Sequence, residues 1–191
     1  MSLPPSVPIA PCIRRCATII AVVAVLTVLV GCGGIAPIAA ADTEVYFSPN
    51  GGCTQAVVHA IEAAHVSIRL QAYSFTSLPI AKALVAAKNR APAVDVQVVL
   101  DKSQQTERYS VADFLVHAGI PVKIDAVHAI AHNKVIVIDD AIVVTGSFNF
   151  TSSAEERNAE NLLILHRPDL ALVYAANWTE HAGHSQPYLG K

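Results

Sequence analysis

From Val45 onward, short β-branched or apolar runs alternate with longer stretches whose apolar residues recur every three or four positions. The first pattern predicts strands and the second predicts helices. Residues 45–47 predict a first strand, closed by a Ser-Pro-Asn-Gly-Gly turn. Residues 54–64 are Ala-rich with helical spacing. Residues 67–73 predict a strand with Arg69 and Gln71 on one face and Ile68, Leu70 and Ala72 on the other. A helix over 79–89 begins at Pro79 and stops at Ala91-Pro92. The run 94–100 alternates and then turns wholly apolar, as a strand entering a buried sheet does. A helix over 111–117 stops at Gly119, a strand follows over 120–124, and a last strand over 160–166 leads into a helix from Pro168 to Trp178. This alternation predicts an α/β fold: a mixed β-sheet flanked by helices on both faces, in a single domain.

The stretch 132–160 breaks the alternation. Two β-branched runs, 135–138 and 141–144, flank Asp139-Asp140 and predict a hairpin. Side chains alternate along a strand, so His132 and Lys134 point the same way, about 7 Å apart. A turn at Asp139-Asp140 sets His132 opposite Ser147; a turn at Asp140-Ala141 sets it opposite Asn149. Any even-length loop keeps all four on one face, and a bulge would break the arrangement. An imidazole, an ammonium, a hydroxyl and an amide together suit a phosphate. Lys134 supplies charge, Ser147 and Asn149 supply neutral donors, and His132 can attack phosphorus or move protons. Gly146 lets the backbone approach a ligand. Such a set needs no metal to neutralise developing charge.

Composition changes the picture at the N-terminus. Residues 1–41 hold no acid, two arginines (Arg14 and Arg15) and a charge-free core over 17–30. This predicts a signal peptide or lipoprotein leader, leaving a domain over 42–191. Leu29-Val30-Gly31-Cys32 resembles a lipobox, which would leave a lipidated Cys32 as membrane attachment. Ala39-Ala40-Ala41 offers the rival cleavage before Asp42, and an uncleaved anchor is a third outcome. Each implies export, to the periplasm or the extracellular space. Of the 4 cysteines only Cys53 follows Cys32, which excludes an internal disulfide framework; Cys53 reads as a small buried hydrophobe. The net charge of −2, more negative once the leader is removed, argues against binding nucleic acid through a broadly basic surface.

Other polar residues carry weaker signals. Residues 101–110 predict a loop over the carboxyl end of the sheet, where ligands sit in α/β folds, so Lys102 and Arg108 are second-rank phosphate contacts. His59 and His65 read as surface or packing residues. His128 and His132 have metal-ligand spacing only on a helix, and their stretch reads as extended. There is no H-E-x-x-H, and His181 and His184 are a weaker signal still, so no metal and no cofactor are expected.

The run H-N-K-V-I-V-I-D-D-A-I-V-V-T-G-S-F-N-F resembles the H-x-K-x4-D-x6-G-S motif of the phospholipase D superfamily, with His132, Lys134, Asp139, Gly146 and Ser147 in place. G-S-F-N-F-T, the later N-A-E-N, and S-I-R-L-Q-A-Y-S-F-T upstream are similar to its small bacterial secreted endonucleases of the Nuc type. The resemblance implies the phospholipase D/nuclease fold and a non-specific, metal-independent endonuclease acting on DNA, with RNA as a further substrate. A phospholipase D or phosphatidyl-transfer activity on membrane lipids is the alternative. One motif copy per chain implies a homodimer whose two copies share one site. His132 of one subunit would form a phosphohistidine, and its counterpart would protonate the leaving oxygen and then activate water. Lys134, Ser147 and Asn149 would hold the phosphate. Glu160 matches the acid that hydrogen-bonds the nucleophilic histidine. Asp139, though part of the motif, is expected to be structural or ion-paired.

Overall fold

The computed structural model describes residues 42–191. The predicted leader, including Cys32 and both cleavage sites, lies outside the described residues. The alternation resolves into β1 (Thr43–Phe47), α1 (Cys53–Glu62), β2 (Ser67–Ala72), α2 (Leu78–Asn89), β3 (Asp95–Asp101), α3 (Ala112–His117), β4 (Val122–Asp125), β5 (Lys134–Ile138), β6 (Ile142–Gly146), α4 (Ser152–Glu156), β7 (Asn161–Leu165), α5 (Pro168–His184) and β8 (Gln186–Tyr188). All eight strands form one open, mixed sheet in the order β1-β7-β6-β5-β2-β3-β4-β8. β2, β3 and β4 run parallel, and every other neighbour is antiparallel.

Strand parity decides which helices lie on which face. Ile68, Leu70, Val96, Val98, Ile136 and Val144 bury one face against α1, α2 and α3. The stripe Cys53, Ala56, Val57 and Ile61 seats α1 there. α1 lacks a side-chain cap of its own; the Glu155 carboxylate on α4 accepts from Gly52 N at 3.0 Å and Thr54 N at 2.6 Å instead. The opposite parity, Val99, Val135, Val137 and Val143, packs under α5, whose Trp178 indole donates to Leu70 O at 3.0 Å. Cys53 is fully buried, as the small hydrophobe expected there, and burial pushes its thiol up to about 11.

Two features depart from the sequence-based expectation. α5 runs on to His184, and β8 follows it to cover the edge of β4; three residues containing Pro187 are too short for any periodicity to mark them. The hairpin register also differs. Ile138 pairs with Ile142, so the loop has three residues, Asp139, Asp140 and Ala141, rather than an even number. Asp139 and Asp140 both adopt left-handed backbone, at φ 55 and 51. The odd loop puts Lys134 opposite Gly146 and not on the parity of Ser147.

The loop length has a tertiary cause. The Asp139 carboxylate accepts from the backbone N–H groups of His65 (2.7 Å), Val66 (2.7 Å) and Ser67 (2.8 Å), at the start of β2. Asp139 N donates to Ser67 O at 2.9 Å. Burial pushes this carboxyl up, but the three N–H donors outweigh it and hold it below the ordinary value. The motif aspartate therefore ties the hairpin to its neighbouring strand. Asp140 forms an ion pair with Arg69 at 2.9 Å on the same flank.

Candidate active site

The carboxyl ends of the three parallel strands lie at one end of the sheet. Because β5 is antiparallel to β2, with Ala72 opposite Lys134, its first residue falls at that same end. So do the last residue of β6 and the start of β7, where Gly146 faces Leu162. His132, Lys134, Ser147, Asn149 and Glu160, with Gly146 between them, therefore line one cleft of about 610 Å³. They meet at the rim formed by the strand ends, not on a sheet face. This is why they converge although the expected register is wrong.

Tyr73, the residue after β2, organises the cleft, and its signal in the sequence is only its place at a strand end. The His132 imidazole is exposed and lies against the Tyr73 ring, with centroids 4.7 Å apart and planes tilted by 50°. The Lys134 ammonium sits 5.2 Å from the centre of that ring and donates to His132 O at 2.9 Å. Lys134 is only 7 % exposed. Burial lowers its pKa from the ordinary lysine value, and the Glu160 carboxylate opposes that shift only in part. A buried ammonium short of counter-charge attracts an anion strongly.

On the opposite wall, Ser147 Oγ donates to Glu160 Oε2 at 2.6 Å and accepts from Asn161 N at 3.0 Å. Asn158 Nδ2 donates to Glu160 Oε1 at 2.9 Å. Both carboxylate oxygens of Glu160 are thus engaged, and within one chain no hydrogen bond joins Glu160 to His132. Within one chain Glu160 belongs to a Ser147–Glu160–Asn158 network beside the start of β7. Asn149 lines the cleft, and its Oδ1 is buried without a hydrogen-bond partner.

Gly146 lines the cleft and also meets a packing need of the sheet. Its φ is 149, and a Cβ there would stand 2.3 Å from Asn161 O. The glycine lets β6 pass β7 at the point where Ser147 turns into the cleft.

A second cleft of about 590 Å³ adjoins the first at Asn149. Tyr73, Thr76, Tyr109, Thr151 and Ser152 give it hydroxyl-rich walls, and Tyr109 is 67 % exposed. Arg108 lies 5.4 Å over the Tyr109 ring and Lys102 donates to His128 O at 3.0 Å, and neither lines either cleft. Among the described residues no helix is long and apolar enough to cross a membrane.

Comparison with known proteins gives a consistent result. Residues 57–181 match the model of a family described as "Cardiolipin synthase, PLD-like domain". A protein named phospholipase D from Rickettsia conorii is 42% identical over 144 residues, covering 75% of this chain and 71% of that one. The mitochondrial cardiolipin hydrolase of Canis lupus familiaris is 30% identical over 144 residues, 56% of its own length. Among solved structures, the phospholipase D family member Nuc from Salmonella typhimurium superposes with a TM-score of 0.72 at 42% identity, over 76% of this chain and 97% of that one. NucT from Helicobacter pylori shares the fold, with a TM-score of 0.70 at 23% identity.

Proposed function

We propose, for a chain that belongs to the phospholipase D superfamily and is one of its phosphodiesterases, that the substrate is DNA, with RNA as a second substrate, cleaved without a catalytic metal ion. The observation that carries this reading is the grouping of an exposed imidazole, a buried ammonium, a hydroxyl and an amide on one cleft. His132 Nε2 or Nδ1 attacks phosphorus, and Lys134 neutralises the non-bridging oxygens. The Asn149 side-chain N–H group and Ser147, whose hydroxyl proton turns from Glu160 to a non-bridging oxygen, orient the phosphate from the facing wall. A covalent phosphohistidine splits the displacement into two steps, and water completes the second.

One imidazole lines the cleft, and a leaving oxygen on the far side of phosphorus needs an acid of its own. A second copy of the chain supplies it, so the enzyme acts as a homodimer with the two His132 residues facing across one phosphate. Glu160, occupied by Ser147 and Asn158 within its own chain, holds the phosphate-binding wall in place. The polar second cleft favours a polynucleotide over acyl chains. Its hydroxyl groups can hydrogen-bond a nucleotide strand, Glu107 on its rim keeps the phosphates toward the first cleft, and Tyr109 offers a face on which a base can stack.

The relatives named phospholipase D keep a lipid reading in view. One assay separates the two: purified protein with plasmid or single-stranded DNA beside phosphatidylcholine and cardiolipin vesicles, in Mg²⁺-free buffer with brief exposure to EDTA. Nicking and degradation of DNA, absent in His132→Asn, is the expected result. Headgroup release from vesicles with intact DNA assigns the lipid activity instead. Loss in EDTA that Mg²⁺ restores overturns the metal-free mechanism.

A further inference from the structure

Asp125, His128, His181 and His184 meet at the edge of the sheet remote from β1. Asp125 ends β4, and its side chain is fully buried. His128 lies in the following loop, and His181 and His184 occupy one face of the last turns of α5. One ligand atom from each falls within 4.8 Å of all the others. Three imidazole nitrogens crowd a single carboxylate oxygen, Asp125 Oδ2: His181 Nδ1 at 2.8 Å, His128 Nδ1 at 3.1 Å and His184 Nε2 at 3.3 Å. The three rings pack against one another with centroids 4.9 to 5.3 Å apart.

Hydrogen bonds alone do not satisfy this cluster. His128 Nδ1 also reaches Asp125 Oδ1, at 3.2 Å, beside Val127 N, so the carboxylate is already shared by Val127, His128 and His181 where His184 approaches it. His184 Nε2 is buried and has no hydrogen-bond partner. Four N and O donors bound at about 2.1 Å to one tetrahedral ion stand about 3.4 Å apart, close to the separations found around Asp125. A cation in their midst would take one lone pair from each imidazole and satisfy all four groups together.

We propose that Asp125, His128, His181 and His184 form a structural site for a divalent transition-metal ion of the zinc class. Three imidazoles and one carboxylate match its ligand preference, and four protein ligands leave no position for water or substrate. The ion clamps α5 to the loop over 126–133. That loop carries His132 next to its end, so the metal fixes the approach of the H-N-K segment without touching the phosphate. On its other side the loop is held by Ala131 N, which donates to Asp101 Oδ2 at 2.8 Å. The sequence carries this site as two pairs with the same spacing, Asp125-x-x-His128 and His181-x-x-His184. Matching His128 with His132 concealed it. The proposed site lies away from the cleft, so the expectation that phosphodiester cleavage itself needs no metal is a separate matter.

The test is zinc content and affinity of the purified protein. Chelator-stripped protein titrated with ZnCl₂ should bind one equivalent per chain and unfold at a higher temperature. Co²⁺ should give the visible bands of a tetrahedral centre. His184→Gln alters a partly exposed ligand, so its fold, checked by circular dichroism, should persist while zinc affinity falls more than about tenfold. His181→Gln with His184→Gln should abolish stoichiometric binding and remove the zinc-dependent rise in melting temperature. Failure of the folded wild type to bind zinc, or equal zinc stabilisation of wild type and the double variant, overturns the site.

Discussion

Replacing Asp139 tests whether the motif aspartate acts on the fold rather than on phosphorus. Its carboxylate accepts three backbone N–H groups at 2.7 to 2.8 Å, and the chain at Asp139 is left-handed at φ 55. A hydrogen bond to a charged acceptor contributes roughly 1.5 kcal/mol or more, less where water can replace it. The His65 and Val66 donors are exposed and the Ser67 donor is buried. Asp139→Ala also loses the tolerance of left-handed backbone, giving a total of about 3 kcal/mol. That corresponds to a fall in melting temperature of about 10 °C for a domain of this size. Asp139→Asn keeps one acceptor oxygen and the backbone preference, and should lose about 1 to 2 kcal/mol. The folded carboxyl lies below its unfolded value of about 3.9, so the unfolded chain takes up protons first. The advantage of aspartate is therefore complete above that value and disappears as pH falls through the folded one. Urea unfolding of wild type and both variants at pH 7 and near pH 3 measures this directly. A variant as stable as wild type at pH 7, or a difference that does not shrink in acid, refutes the reasoning.

Two further outcomes follow from the same geometry. Gly146→Ala places a Cβ 2.3 Å from Asn161 O at a φ of 149, so it should cost about 2 to 4 kcal/mol by thermal unfolding and disturb Ser147. Lys134→Met removes an ammonium that burial disfavours; hydrolysis should fall at least about a hundredfold while the melting temperature holds or rises. Because the folded lysine titrates below its unfolded value, wild type should gain on this variant as pH rises through the folded pKa.

Long periodic segments were legible from the sequence because their burial is set locally. The α1 stripe, the alternating β3 and the apolar β5 each lie within a residue or two of expectation. The hairpin register was not legible, since its loop length is fixed by Asp139 reaching back to residues 65–67 on another strand. The cleft residues nevertheless gather in one place because His132, Lys134, Ser147 and Glu160 all lie at strand ends that share one rim. Tyr73 was missed because nothing in its sequence context marks an aromatic that will support an imidazole. The Asp125 cluster was missed because its halves come from distant segments, joined only when α5 packs across the sheet.

The shared two-copy site is tested most directly by subunit mixing. Wild-type protein is exchanged with inactive His132→Asn protein at increasing proportions, and DNA cleavage is measured at constant total concentration. If both imidazoles serve one phosphate, mixed dimers are dead, and an equal mixture retains about a quarter of the activity. A linear decline, with about half the activity remaining at equal proportions, would mean that each chain cleaves alone and would contradict the account.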